Sequence, residues 1–167
     1  VPFLLSDGSG KVLVLFSYMT LINIGILIIA FKKYWRLLNL TSFFATWLIF
    51  ATWYFSSFNV SLHFGIGLTF LFIFFIIFYT AFLSYKLIKK ENYEAKDIFS
   101  VLSNSFVFYG IGIGILNAHP VATNYLGLFT LLNAIIHFGV STLIYKKKLG
   151  DKSLFYLILG LVLTFIT

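Results

Sequence analysis

The chain has 167 residues, 60% of them hydrophobic and only 10% charged, where an average soluble domain carries about 25% charged residues. Its mean hydropathy of +1.00 and its 22 Phe are more apolar surface than one small water-soluble globule can hide, so lipid is the solvent for much of it. The net charge of +7 arises from cations grouped at the ends of apolar runs, the pattern of loops beside anionic lipid, which excludes a nucleic-acid surface; the absence of Cys excludes disulfides and thiolate metal sites.

Taken in order, Val1 to Leu5 is apolar but too short to span, and Ser6 to Gly10 is a turn cluster. The first predicted span covers 12–31, close to the roughly 20 residues a helix needs to cross about 30 Å of hydrocarbon. Lys32, Lys33 and Arg36 end it, with Tyr34 and Trp35 as anchors at the headgroup level. The second span, 37–55, ends in Trp53 and Tyr54, which read as the opposite aromatic belt, whereas Trp47 lies near its middle and needs a partner for its indole N–H. The third, 64–85, carries Phe70, Phe72, Phe74, Phe75 and Phe78, has no polar face and is expected to show lipid a broad surface. A polar stretch over 86–97 continues the helix for a turn or two in water. The fourth span covers 98–117, the fifth 124–145, and a sixth covers 153–167 after a Gly150-Asp151-Lys152 turn. These runs lack the alternation of barrel strands and are about twice their length. The expectation is an all-α fold: a single membrane domain, an integral helical bundle of six spans. An amino end at Val rather than Met and a carboxyl end inside an apolar run mark it as a fragment of a longer polytopic protein.

Orientation follows from charge. Eleven of the twelve Lys and Arg fall in three joints, at 32–36, 86–97 and 146–152, and the two other loops have none. Alternating spans put those joints on one side. The positive-inside rule makes that side the cytoplasm and leaves the amino end outside.

FKKYWRLLN at Phe31 to Asn39, followed by FFATWLIFATWY and much later by YKKKLGDKSLFYLILGLVLTFIT, resembles the large bacterial family of many-span membrane proteins catalogued as domain of unknown function 2339. The resemblance runs over the whole chain and is sharpest at Phe31 to Tyr54 and at Tyr145 to Thr167. It implies a long polytopic protein of the bacterial inner membrane and brings no activity, ligand or catalytic residue.

No Asp, Glu, Lys or Arg lies inside a predicted span, which weighs against a carboxylate proton relay or a buried ion pair in this stretch. The candidate polar feature is on the fifth span. Thr130, Asn133, His137 and Ser141 are three, four and four residues apart and share one helix face. They are either a hydrated path, with His137 able to change charge near neutral pH, or a seam of interhelical hydrogen bonds. Expected partners are Ser17, Thr20 and Asn23 on the first span and Ser100, Ser103 and Asn104 on the fourth. Asn23, Asn104, Asn133 and His137 together form either a small polar ligand site or glue. Gly110 and Gly114 make a GxxxG pair for close helix packing. His63 and His119 sit in separate loops without ligand spacing, so neither a metal nor a cofactor is expected.

Three function classes stand: a structural or assembly module of the cell envelope, part of a transporter or channel with its path along the fifth span, and an envelope enzyme whose active groups lie elsewhere. The absence of Pro inside the spans and of acidic residues in the two outer loops favours the first. The expected partners are the bilayer, further spans of the same protein, and a second copy or another membrane protein.

Overall fold

The computed structural model describes residues 12–33 and 35–150. Val1 to Leu5, Tyr34 and the sixth predicted span over 153–167 lie outside the described residues. Within them the chain is helical, with α1 Val12–Lys32, α2 Arg36–Ser57, α3 Val60–Lys89, α4 Ala95–Ala118, a short 3₁₀ turn at Ala122–Tyr125 and α5 Leu126–Lys146. All five α-helices are long and apolar enough to cross a membrane.

α3 is the longest because both of its ends are capped beyond the apolar run. At its start Asn59 Oδ1 accepts from Ser61 N–H at 3.0 Å. At its end Lys90 adopts a left-handed φ of 57° and Glu91 N–H reaches back to the Lys86 carbonyl at 3.0 Å, which closes the last turn. α5 ends in the same way, with Lys148 at φ 55° and Leu149 N–H bonded to the Ile144 carbonyl. The 30 residues of α3 measure about 45 Å, so the helix reaches past the hydrocarbon.

α3 is also the helix the others are built on. It packs most extensively against α4 and α1, while α2 touches α1, α3 and α4, and α5 lies against α4. This overturns the lipid-facing expectation for the third span: Phe70, Phe74, Phe75 and Phe78 are all buried. Of the spanning stretches of α3 and α4, 56% is buried, against 17% of α1, the least buried of the described helices. A helix apolar on every side suits either a lipid face or a central position, so its sequence carries no signal that separates the two.

The core between α1, α2 and α3 is aromatic. The Phe16 ring lies 5.1 Å from Phe50, 5.0 Å from Trp53, 5.2 Å from Phe70 and 5.9 Å from Phe74. Between α3 and α4, Phe75 stacks on Phe108 at 4.1 Å. Such pairs contribute about 0.5–1.5 kcal/mol beyond their area. Close packing matters here because lipid tails remove the hydrophobic drive for helices to associate.

The three basic joints gather at one end. Tyr93 N–H bonds to the Leu149 carbonyl at 2.7 Å, tying the α3–α4 joint to the end of α5. Arg36 at the start of α2 lines a small cavity with Asp97 at the start of α4.

Candidate functional site

The polar face of α5 points into the bundle. Asn133, His137 and Ser141 are 1%, 2% and 3% exposed, which leaves them almost no contact with lipid. Tyr79 of α3 lies 3.2 Å from His137 Nδ1, His137 Nε2 makes a very short contact with Ser105 Oγ of α4, and Ser105 donates to Asn133 Oδ1 at 2.9 Å. Donors and acceptors balance with the imidazole proton on Nε2: Tyr79 donates to Nδ1, Nε2–H donates to Ser105, and the serine hydroxyl passes on to Asn133. Thr130, half-buried, donates to the Leu126 carbonyl at 3.0 Å and pairs with the Tyr109 hydroxyl at 2.9 Å. Asn133 Nδ2 and Ser141 Oγ are buried without a partner among the described residues. A cavity of about 10 Å³ lies beside His137, otherwise walled by apolar side chains and Tyr79. It holds at most about one water.

The asparagines do not meet. Asn23 of α1 donates to Thr46 Oγ1 of α2 at 2.9 Å. Asn104 of α4 accepts from the Trp47 indole at 3.0 Å and donates to the Phe75 carbonyl at 3.0 Å, binding three helices at one amide. Trp47 therefore has the partner its mid-span position demands. The expected α1 partners of the α5 face take no part in it: Ser17 is exposed, and Thr20 bonds back to the Phe16 carbonyl of its own helix at 2.8 Å. Of the expected α4 partners, Asn104 serves Trp47, and Ser100 bonds back to the Lys96 carbonyl. The working partner is Ser105, beside Asn104, and the other is Tyr79, the one hydroxyl-bearing aromatic between Phe70 and Phe82. A hydroxyl in an otherwise pure Phe run is the sequence signal for it.

The glycines pack differently from the GxxxG expectation. A Cβ on Gly110 would meet open space, so this residue makes no close approach. At Gly112 it would strike the Phe129 ring, with Cε1 at 2.9 Å and Leu71 Cδ2 at 3.2 Å, and at Gly114 it would press on the Tyr54 hydroxyl, with Cζ at 3.1 Å. The close contacts are thus at Gly112, against α3 and α5, and at Gly114, against α2.

A buried ion pair stands where the sequence showed a polar stretch. Lys86 Nζ lies 2.7 Å from Asp97 Oδ2, with side chains 7% and 1% exposed, and also donates to the Asn92 carbonyl at 2.9 Å. The same Asp97 oxygen accepts from Glu94 N–H at 2.9 Å, so one carboxylate caps α4 and neutralises a lysine of α3. Glu94 pairs with Lys96 at 2.5 Å, and that hydrogen bond holds its exposed carboxyl below the ordinary range. Burial, and then the Asp97 charge, push the Tyr93 phenol up; its hydroxyl donates to the Leu83 carbonyl at 2.6 Å. The signal for this cluster was Glu94 and Asp97 three residues apart at a helix start.

The predicted interface anchors divide. Lys32, Lys33 and Trp35 are exposed, Arg36 is half-buried, and Lys33 Nζ sits 5.0 Å over the Trp35 ring. Tyr54 is half-buried against Phe58, and Trp53, 5% exposed, belongs to the aromatic core rather than to a lipid-facing belt. His63 Nδ1 accepts from Asn59 N–H at 3.1 Å, and His119 Nδ1 from Val121 and Ala122 N–H at 3.3 and 3.2 Å, so both imidazoles bond to nearby backbone. Among the described residues no group of three metal-ligating side chains forms.

Five apolar helices joined by interhelical side-chain bonds define a polytopic helical membrane protein. The chain belongs to the family described as Predicted membrane protein (DUF2339), whose model matches residues 1–167. Neither a curated protein nor a solved structure matches it.

Proposed function

We propose that the chain is a structural or assembly module of the bacterial cell envelope. In this reading it is a multi-pass protein of the inner membrane, with a sixth span over 153–167, the amino end outside and the joints at 32–36, 86–97 and 146–152 in the cytoplasm. The gathering of the basic joints at one end supports that orientation. The observation that carries the module reading is the inward closure of the α5 face. Asn133 and His137 are bonded to α4, and His137 to α3 as well, so mid-membrane polarity is used to hold helices together. Further spans, a second copy or another membrane protein are its partners.

Part of a transporter or channel is the second reading. It is favoured by the unpaired Asn133 Nδ2 and Ser141 Oγ on the same face and by the small cavity beside His137.

The chain has no Cys, so single cysteines report on water. Ser141→Cys is nearly isosteric and tests the face, with Ser61→Cys as the exposed control and Ala81→Cys as the buried one. Intact cells are treated with a small membrane-impermeant thiol reagent. The module reading expects labelling at position 61 and none at 141 or 81. Labelling at 141 would establish a wet path and replace the module with the transport reading. An unlabelled position 61 would overturn the orientation.

A further inference from the structure

The small cavity at the basic end of the bundle is polar on two of its three helix walls. Its volume is about 10 Å³, and it is lined by Arg36 and Asn39 of α2, Phe82 of α3, and Asp97 and Ser100 of α4. Room of this size takes about one water molecule and nothing larger. Asn39 is 3% exposed, and its Nδ2 is buried without a hydrogen-bond partner among the described residues. An unpaired buried donor is costly, so this amide asks for an acceptor in the cavity it lines.

The register of α2 on α4 puts these groups opposite one another. Both helices start at the basic end, and the Trp47 indole of α2 reaches the Asn104 amide of α4 at 3.0 Å. Asn39 precedes Trp47 by eight residues, about 12 Å, and Asp97 precedes Asn104 by seven, about 10 Å. The lining then selects the occupant. A cation would face the Arg36 guanidinium, while Asp97 already has Lys86 Nζ at 2.7 Å as its counter-charge. An anion would face the Asp97 carboxylate. A neutral water suits both charges, and its two lone pairs and two protons match the wall. Asn39 Nδ2 and the Arg36 guanidinium are donors, and the Asp97 carboxylate is an acceptor. Ser100 Oγ is a second acceptor, because its own proton goes to the Lys96 carbonyl at 3.0 Å.

We infer that this cavity is a binding site for one ordered water molecule, which accepts from Asn39 and Arg36 and donates to Asp97 and Ser100. The water ties α2 to α4 at the basic end, as the Trp47–Asn104 bond ties them at mid-membrane. The Lys86–Asp97 pair joins α3 to α4, so the water extends that buried cluster to a third helix. The site stands apart from the α5 face and does not depend on the module reading.

The test is water-selective NMR of the full chain in detergent micelles, with nitrogen-15 on the asparagine side chains. The Asn39 amide protons, assigned by their loss in Asn39→Leu, are expected to show cross peaks to water of opposite sign in NOE and ROE spectra. That sign change marks a held water, whereas equal signs mark proton exchange with bulk solvent. Asn104, fully buried with its amide bonded to Trp47 and to the Phe75 carbonyl, is the dry control, and exposed Asn59 is the bulk control. Ser100→Ala removes a hydroxyl that could relay the signal. That hydroxyl donates only within its own helix in the bond described above, and Asn39 and Asp97 still hold the water, so the Asn39 peak should survive. Four results overturn the site: no water peak at Asn39, a peak of equal sign in both spectra, a peak of the same strength at Asn104, or loss of the peak in folded Ser100→Ala. The wild-type spectra decide the matter by themselves if the variant fails to fold, and Asn39→Asp then supplies the assignment if Asn39→Leu fails as well.

Discussion

Replacing Lys86 by Met tests whether the pair with Asp97 is buried in energy as well as in geometry. The ammonium and carboxylate are 2.7 Å apart, and the carboxylate side chain is 1% exposed. At an effective dielectric of about 20 their attraction is on the order of 6 kcal/mol before desolvation is subtracted. Truncating one partner leaves the other charge in a poor solvent, and the expected net cost is about 3 kcal/mol. Asp97 retains the Glu94 N–H bond at 2.9 Å. Asp97→Asn should cost less, about 2 kcal/mol, because Lys86 retains the Asn92 carbonyl at 2.9 Å and has the Glu94 carboxylate at 3.9 Å. K86M/D97N should cost less than the two single changes together by about 2 kcal/mol, as expected for directly coupled groups. The assay is unfolding in mixed micelles titrated with denaturing detergent and followed by helical circular dichroism, run as a double-mutant cycle. K86M within about 0.5 kcal/mol of wild type would refute the reasoning and make this a solvated pair of the ordinary surface kind.

The glycines of α4 should rank by the space around them. In the same assay Gly112→Ala is expected to cost about 1–3 kcal/mol by forcing the Phe129 ring away, and Gly110→Ala to stay within about 0.5 kcal/mol. Gly114→Ala should fall between them, since the Tyr54 side chain can rotate; a Gly110 effect as large as that of Gly112 would restore the GxxxG seam. Asn104→Ala removes two interhelical bonds and should cost about 1–2 kcal/mol, given about 0.6 kcal/mol for an average bond between membrane helices. In a Trp47→Phe background the same change should cost less, and an unchanged cost would mean that the indole bond contributes nothing.

Much of the architecture was legible in one dimension. The apolar runs end at charged or aromatic joints because a helix must cover the hydrocarbon before a charge can be tolerated, and those ends stand within a few residues of α1 to α5. The inward face of α5 was legible as well, because the three- and four-residue spacing of Thr130, Asn133, His137 and Ser141 places them together on any helix. Its partners were not. Whether Asn133 meets Asn23, Asn104 or Ser105 depends on which helices are neighbours, and hydropathy contains no term for that.

The sequence by itself determined that this is a helical membrane protein, where the five described apolar helices fall, and that the basic joints between them share one end, because solvation in lipid acts on each segment separately. Only the tertiary structure decided that the Phe-rich α3 is central while α1 is the least buried of the five described helices, that Gly112 rather than Gly110 is pressed by a neighbour, and that Lys86 is buried against Asp97. Those facts concern pairs of helices. Helix pairing in a bilayer is set by side-chain shape and a few hydrogen bonds between segments of similar hydropathy, so it appears only when the surfaces are brought into contact.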